Sequence, residues 1–134
     1  GILVKDNHLA CLAGKMRADP ATAQKAARKA ADYAKAHPPL AVEVEVETLE
    51  QLRAILPEAP TVVLLDNMSP SAVREAVAIR NEMAPSVKLE ASGGIRLESL
   101  REYALAGVDR ISVGAMTHQA TALDMAIDFI PDVK

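Results

Sequence analysis

The sequence predicts an α/β protein, an incomplete parallel β/α barrel of about five βα units. Short β-branched or aliphatic runs recur along the chain, and each is followed by a longer stretch with helical spacing. The last four units repeat at roughly 21–25 residues with brief loops, a regularity that suits a barrel better than an open sheet. Strand followed by helix, five times over, demands right-handed crossovers and a parallel sheet. Five units fall short of a closed barrel, so the expectation is the C-terminal part of one, with no internal domain boundary.

The first strand, Ile2 to Val4, ends in the polar quartet Lys5-Asp6-Asn7-His8, read as the loop that leaves it, with His8 ordering that loop. An alanine-rich helix from Ala18 to Ala36 carries Lys25, Arg28 and Lys29 on its polar side; Asp19-Pro20 opens it and Pro38-Pro39 closes it. The second strand, Ala41 to Val46, leads to a helix from Leu49 to Leu56 between Thr48 and Pro57. The third, Val62 to Leu65, leads to a helix from Pro70 to Met83, capped by Ser69 and stopped before Pro85. The fourth, Val87 to Leu89, leads to a helix from Leu97 to Ala106 that stops at Gly107. The fifth, Arg110 to Val113, leads to a helix from Thr117 to Phe129.

Composition narrows the function classes. The 134 residues are 50% apolar and 25% charged, with a formal charge of -3 and no long run of one sign, which describes one soluble globular domain. Nucleic acid and anionic membranes are therefore disfavoured as partners. The aromatic residues are Tyr33, Tyr103 and Phe129, too few for a base-stacking platform. The lone Cys11 excludes an internal disulfide or multi-cysteine zinc site and fits a reducing cytoplasm; it reads as a small buried hydrophobe, and the methionines as core filling. No apolar run approaches the ~20 residues that span a bilayer, and the start lacks a signal-peptide pattern. The chain begins without methionine inside an apolar segment, which suggests a fragment.

In a parallel sheet with crossover helices, ligands collect at the carboxyl ends of the strands. Each strand here ends in polar residues. In Val42-Glu43-Val44-Glu45-Val46-Glu47, alternation puts three carboxylates on one face, roughly 6.6 Å apart, and the valines on the other. With the valines against helices, the glutamates point into the barrel and need lysines, a metal ion or a ligand. Lys5, Glu45, Glu47 and Asp66 then ring the top of the barrel, a polarity suited to a metal-bound phosphorylated substrate. Ser92-Gly93-Gly94 and Gly114 follow the next two strands, where bare backbone N–H groups can meet an anion. His118 falls in the following turn, within reach of a phosphate.

These segments match a known pattern. Val4-Lys5-Asp6-Asn7-His8, Val44-Glu45-Val46-Glu47 with Leu49-Glu50-Gln51-Leu52, Leu65-Asp66-Asn67-Met68, Glu90-Ala91-Ser92-Gly93-Gly94-Ile95, and Ser112-Val113-Gly114-Ala115 with Thr117-His118 resemble quinolinate phosphoribosyltransferase, in order and with the family's spacing. The resemblance implies phosphoribosyl transfer from 5-phosphoribosyl 1-diphosphate to quinolinate, giving nicotinate mononucleotide, diphosphate and carbon dioxide in NAD synthesis, with Mg2+ as cofactor. It implies that Lys5 holds quinolinate carboxylates and that Glu45 and Asp66 meet the ribose and the magnesium diphosphate, directly or through substrate or water. It likewise implies that Ser92, Gly93, Gly94, Val113, Gly114 and Ala115 hold the 5-phosphate, with His118 beside it. Glu47 departs conservatively, since some relatives carry aspartate there.

The family also has an N-terminal sandwich domain and first barrel units that supply further arginines and lysines, and its site borrows an arginine from a second subunit. On this resemblance, residues 1–134 correspond to the C-terminal part of the barrel domain of a dimer or higher homo-oligomer, and the isolated chain is expected to be inactive. A molybdenum-transport-associated homologue and a non-catalytic phosphate-binding half-barrel are the alternatives.

Overall fold

Five strands, β1 (Ile2–Val4), β2 (Val42–Val46), β3 (Val62–Asp66), β4 (Lys88–Ser92) and β5 (Arg110–Ile111), form one parallel sheet in the order β1-β2-β3-β4-β5. The computed structural model describes residues 1–14, 19–118 and 125. Between the strands lie α1 (Asp6–Ala13), α2 (Pro20–Ala36), α3 (Leu49–Ile55), α4 (Pro70–Met83) and α5 (Leu97–Ala106), and α6 (Ala115–His118) follows β5. A doubly wound sheet reverses its strand order at a switch point; this one never does. The helices α1 to α5 also pack on one another in chain order, as the outer layer of a barrel wall does. The expected β/α architecture is thus present.

Register explains how the sheet sorts its side chains. Val4, Val44, Val63 and Leu89 are level neighbours across four strands, and all are buried in the core shared with the helices. The neighbouring positions along each strand face the other way. Leu3, Glu43, Val62 and Lys88 form one level of that inner face; Glu45, Leu64, Glu90 and Arg110 form the next, and Asp66 lies level with Ser92 above it. On the outer face, α2 buries the small residues Ala23, Ala26, Ala27, Ala30 and Ala31, which let its axis approach β1 and β2 closely.

Helix starts obey their local chemistry at three places. Asp19 accepts from the Thr22 N–H, Thr48 from Gln51 and Ser69 from Ala72, at 2.8, 3.2 and 3.3 Å. Each such cap contributes about 1 kcal/mol. The bounds of α4 and α5 coincide with those expected, because Ser69-Pro70 and Gly107 punctuate them sharply.

Several expectations need correction. The Lys5-Asp6-Asn7-His8 quartet is not a loop: Asp6 already begins α1, which buries Leu9 and closes at Gly14 in the left-handed region. Cys11 is exposed on that helix rather than buried, and Met83 and Met116 are exposed while Met68 is core. Strand β5 stops at Ile111 instead of Val113, because the Val113 carbonyl already accepts from the Met116 N–H as α6 begins. The last helix starts at Ala115; of its expected continuation to Phe129 only Met125 is among the described residues, where it is exposed and not helical, and Ala18 lies outside them.

Below the carboxyl ends, a charged clamp fastens β4 to the start of β5. The Asp109 carboxylate accepts from Arg80 Nη1 at 2.8 Å, Lys88 Nζ at 3.0 Å and the Leu89 N–H at 2.9 Å, while Arg80 also donates to the Val87 carbonyl. Burial alone would push the Asp109 carboxyl up. The Leu89 N–H, Lys88 and Arg80 outweigh it and hold the carboxyl at about 2. These two strands carry both glycine turns, so the clamp sets their spacing from underneath.

Candidate active site

At the top of β1 and β2, Lys5 Nζ lies 3.7 Å from Glu45 Oε2, and the Asp6 N–H donates to Glu45 Oε1 at 3.2 Å. The Glu45 side chain is 7% exposed, so it is a buried carboxylate held by one cation and one helix-start N–H, whereas Lys5 remains half exposed. The ion pair joins Lys5 to Glu45 rather than to its neighbour Asp6. His8 Nδ1 accepts from the Lys5 N–H at 3.0 Å and so orders this corner, as expected of it.

The three carboxylates of β2 occupy graded environments. Glu47 is exposed at the top, Glu45 is buried, and Glu43 is half-buried beneath it. Burial first, and then the charges of Glu90 and Glu45, push the Glu43 carboxyl up, with Arg110 opposing them. Glu43, Glu45 and Glu90 thus crowd negative charge together on the inner face of the wall.

Asp66 stands one inner-face position above Leu64, the level neighbour of Glu45. It accepts from Asn67 Nδ2 at 2.7 Å and leaves the capping of α4 to Ser69. Asn67 takes a positive φ of 53°, which asparagine tolerates better than most residues, and its N–H reaches the Ser92 carbonyl at 2.9 Å. The close approach dictates the next residue. A Cβ on Gly93 would lie 2.8 Å from the Asn67 nitrogen and would collide with its Oδ1, and Gly93 itself has a φ of +87°.

Ser92, Gly93 and Gly94 from the β4 end, with Gly114 and Ala115 after β5, line one cleft of about 450 Å3. Ile95, Arg96 and Ser112 complete its wall, and sequence reasoning had assigned no site role to Arg96 or Ser112. Ser112 Oγ donates to Glu90 Oε1 at 2.5 Å, and Arg110 lies 3.8 Å from the other Glu90 oxygen, so both Glu90 oxygens have partners behind the cleft. Val113 is not part of the lining. His118 is the final residue of α6, two turns of chain from Gly114 at most, and the Thr117 hydroxyl donates to the Gly114 carbonyl at 3.0 Å. The structure thus gathers the glycine turns into one cleft at β4 and β5, and Lys5 with Glu45 into a second cluster at β1 and β2, with β3 between them.

Among the described residues, no three His, Cys, Asp or Glu side chains converge as a metal cage. Mg2+ commonly takes one or two carboxylates and completes its shell with water and substrate phosphate oxygens. Asp66 on β3 and Glu45 on β2 are the carboxylates that would serve such an ion.

Comparison with known proteins identifies the family of the chain. The family model described as quinolinate phosphoribosyl transferase, C-terminal domain, matches residues 1–128. The chain is 44% identical over 126 residues to nicotinate-nucleotide pyrophosphorylase [carboxylating] of Mycobacterium leprae, covering 94% of this chain and 40% of that protein. It is 36% identical over 126 residues to the Homo sapiens protein of the same name, covering 94% and 39%. The solved structure of NadC from Streptococcus pyogenes superposes with a TM-score of 0.71 at 31% identity, over 92% of this chain and 39% of that one. The chain therefore spans about two fifths of the length of these relatives. A match over nearly all of its residues decides the assignment: the chain belongs to the quinolinate phosphoribosyl transferase family, to its C-terminal domain.

Proposed function

We propose that the chain supplies the phosphoribosyl-binding rim of a carboxylating nicotinate-nucleotide pyrophosphorylase, acting on quinolinate and 5-phosphoribosyl 1-diphosphate in NAD synthesis. The observation that carries this reading is that the carboxyl ends of one parallel sheet bear a glycine-lined anion cleft, after β4 and β5, and a lysine–carboxylate pair, at β1 and β2, with Asp66 on the intervening β3. In the reaction, the ring nitrogen of quinolinate bonds to C1 of the ribose as the C1–O bond breaks and diphosphate leaves with its electron pair. The 2-carboxylate then departs as carbon dioxide, and the ring carbon takes up a proton.

Each residue type suits its share of this work. Backbone N–H groups around Gly93, Gly94 and Gly114 can seat the 5-phosphate, with Ser92, Val113, Ala115 and His118 forming the surrounding turns. Fixing that end holds C1 at the Lys5–Glu45–Asp66 side, where Lys5 attracts quinolinate carboxylate and Glu45 and Asp66 accept from ribose hydroxyls. Asp66 and Glu45 would hold Mg2+, directly or through water, and the ion would supply neutralising charge for the departing diphosphate. The remaining contacts come from further segments and a second copy, in a homodimer or higher homo-oligomer working in the cytoplasm.

The experiment is a calorimetric titration of 5-phosphoribosyl 1-diphosphate into the chain with and without magnesium. Saturable binding that tightens with magnesium is expected. Absence of binding under both conditions would refute the reading.

A further inference from the structure

We propose that Arg96 is a binding residue for the phosphate end of the ligand in this chain, an inference that rests on the phosphoribosyl reading above. Its position is anomalous by the ordinary rules of helix starts. Arg96 is the N-cap of α5, and its side chain makes no capping hydrogen bond. N-caps favour Ser, Thr, Asp and Asn because their oxygens accept from the first free N–H groups, and a cation there also opposes the positive end of the helix dipole. The starts of α2, α3 and α4 follow the rule through Asp19, Thr48 and Ser69. The starts of α1 and α5 break it with Lys5 and Arg96. Lys5 has a reason, since Glu45 answers its charge.

Arg96 has no such partner: among the described residues its guanidinium joins no ion pair. It is also the single charged residue among those lining the cleft formed by Ser92–Gly94, Ser112 and Gly114. The nearest other cation on these strands, Arg110, is committed to Glu90. A phosphate monoester carries close to two negative charges near neutral pH. At this helix start Ser99 Oγ accepts from the Arg96 N–H at 3.2 Å and the Arg96 carbonyl from the Ser99 N–H at 3.1 Å, and an anion in the cleft would add the counter-charge for the guanidinium that these bonds do not supply. Local stability is given up at a place where a ligand recovers it, which is the pattern expected of a functional residue. The planar fork of arginine can grip two phosphate oxygens together, so Arg96 sets affinity for a terminal phosphate over an uncharged sugar end.

The test uses ribose 5-phosphate as the probe, titrated by calorimetry into the unmodified chain, Arg96→Ser, Arg96→Lys and Gly114→Val. Arg96→Ser should bind on the order of 10-fold more weakly, with Arg96→Lys between it and the unmodified chain. The same serine should raise the melting temperature of the ligand-free chain by roughly 2–4 °C, because it caps α5. A purely structural arginine would not produce gain in one measurement and loss in the other. If Arg96→Ser binds as tightly as the unmodified chain while Gly114→Val abolishes binding, the role of Arg96 is overturned and the phosphate cleft stands. If the unmodified chain does not bind ribose 5-phosphate at all, the cleft reading falls and this inference with it.

Discussion

Replacing Asp109 with asparagine should loosen the β4–β5 wall without altering its shape, and the size of the effect can be worked from the clamp. A carboxyl held at about 2 rather than at its ordinary value prefers the charged form by ~2.4 kcal/mol in the folded state. Lys88 is more than half exposed, so water and salt screen its share, and ~1–2 kcal/mol is the part expected to survive as stability. Arg80 is well buried and keeps the Val87 carbonyl and Asn81, but loses its counter-charge and trades a charged acceptor for at best an amide oxygen. Because the folded carboxyl is depressed, its contribution is complete above the unfolded value near ~4 and disappears as the pH falls towards about 2. Urea unfolding of the unmodified chain and of Asp109→Asn should therefore differ by ~1–2 kcal/mol at pH 7, and the gap should close between about pH 4 and pH 2. Taking the difference between the two proteins removes the titration of all other carboxylates. A gap that stays constant down to pH 2, or no gap at pH 7, would refute the clamp.

Three further predictions concern the site and its surroundings. Gly93→Ala should cost ~2–4 kcal/mol by urea unfolding, since it combines left-handed strain with a collision against Asn67; a loss below ~0.5 kcal/mol would show that the turn can relax. Asp66→Ala in the full-length parent should lower kcat/KM by the equivalent of ~2–4 kcal/mol of transition-state stabilisation, and an unchanged kcat/KM would remove Asp66 from the site. The chain should associate in light scattering, because the β1 edge stands beside exposed Leu3, Leu12 and Tyr33; a monomer at every concentration would contradict this.

What could be read from the residues depended on whether chemistry or packing fixed them. Pro70–Met83 and Leu97–Ala106 were legible to the residue because Ser69-Pro70 and Gly107 are strong local signals. The alternation of Val42 to Glu47 foretold a buried valine face and an inward carboxylate face, and Glu45 is buried as that alternation required. Helix α1 was hidden because it opens on Lys5, a residue with no capping oxygen, and is held by burial of Leu9 instead. Cys11 could not be placed without knowing that helix, since its exposure depends on which face Leu9 turns inward. The Lys5–Glu45 pair spans forty positions of chain and is set by the β1–β2 register. The same is true of the cleft: its glycines were visible as two separate turns, but their convergence with Ser112 and Arg96 is a property of β4 lying beside β5.

The central claim is that the turns after β4 and β5 together bind the phosphate end of a phosphoribosyl donor. Calorimetric titration of 5-phosphoribosyl 1-diphosphate with magnesium into the unmodified chain and into Gly114→Val tests it most directly. A valine at this position would crowd the approach to the backbone N–H groups and stiffen the turn, so the account predicts saturable binding to the unmodified chain and none to the variant. Equal affinity in the two proteins would contradict it and move the phosphate site elsewhere.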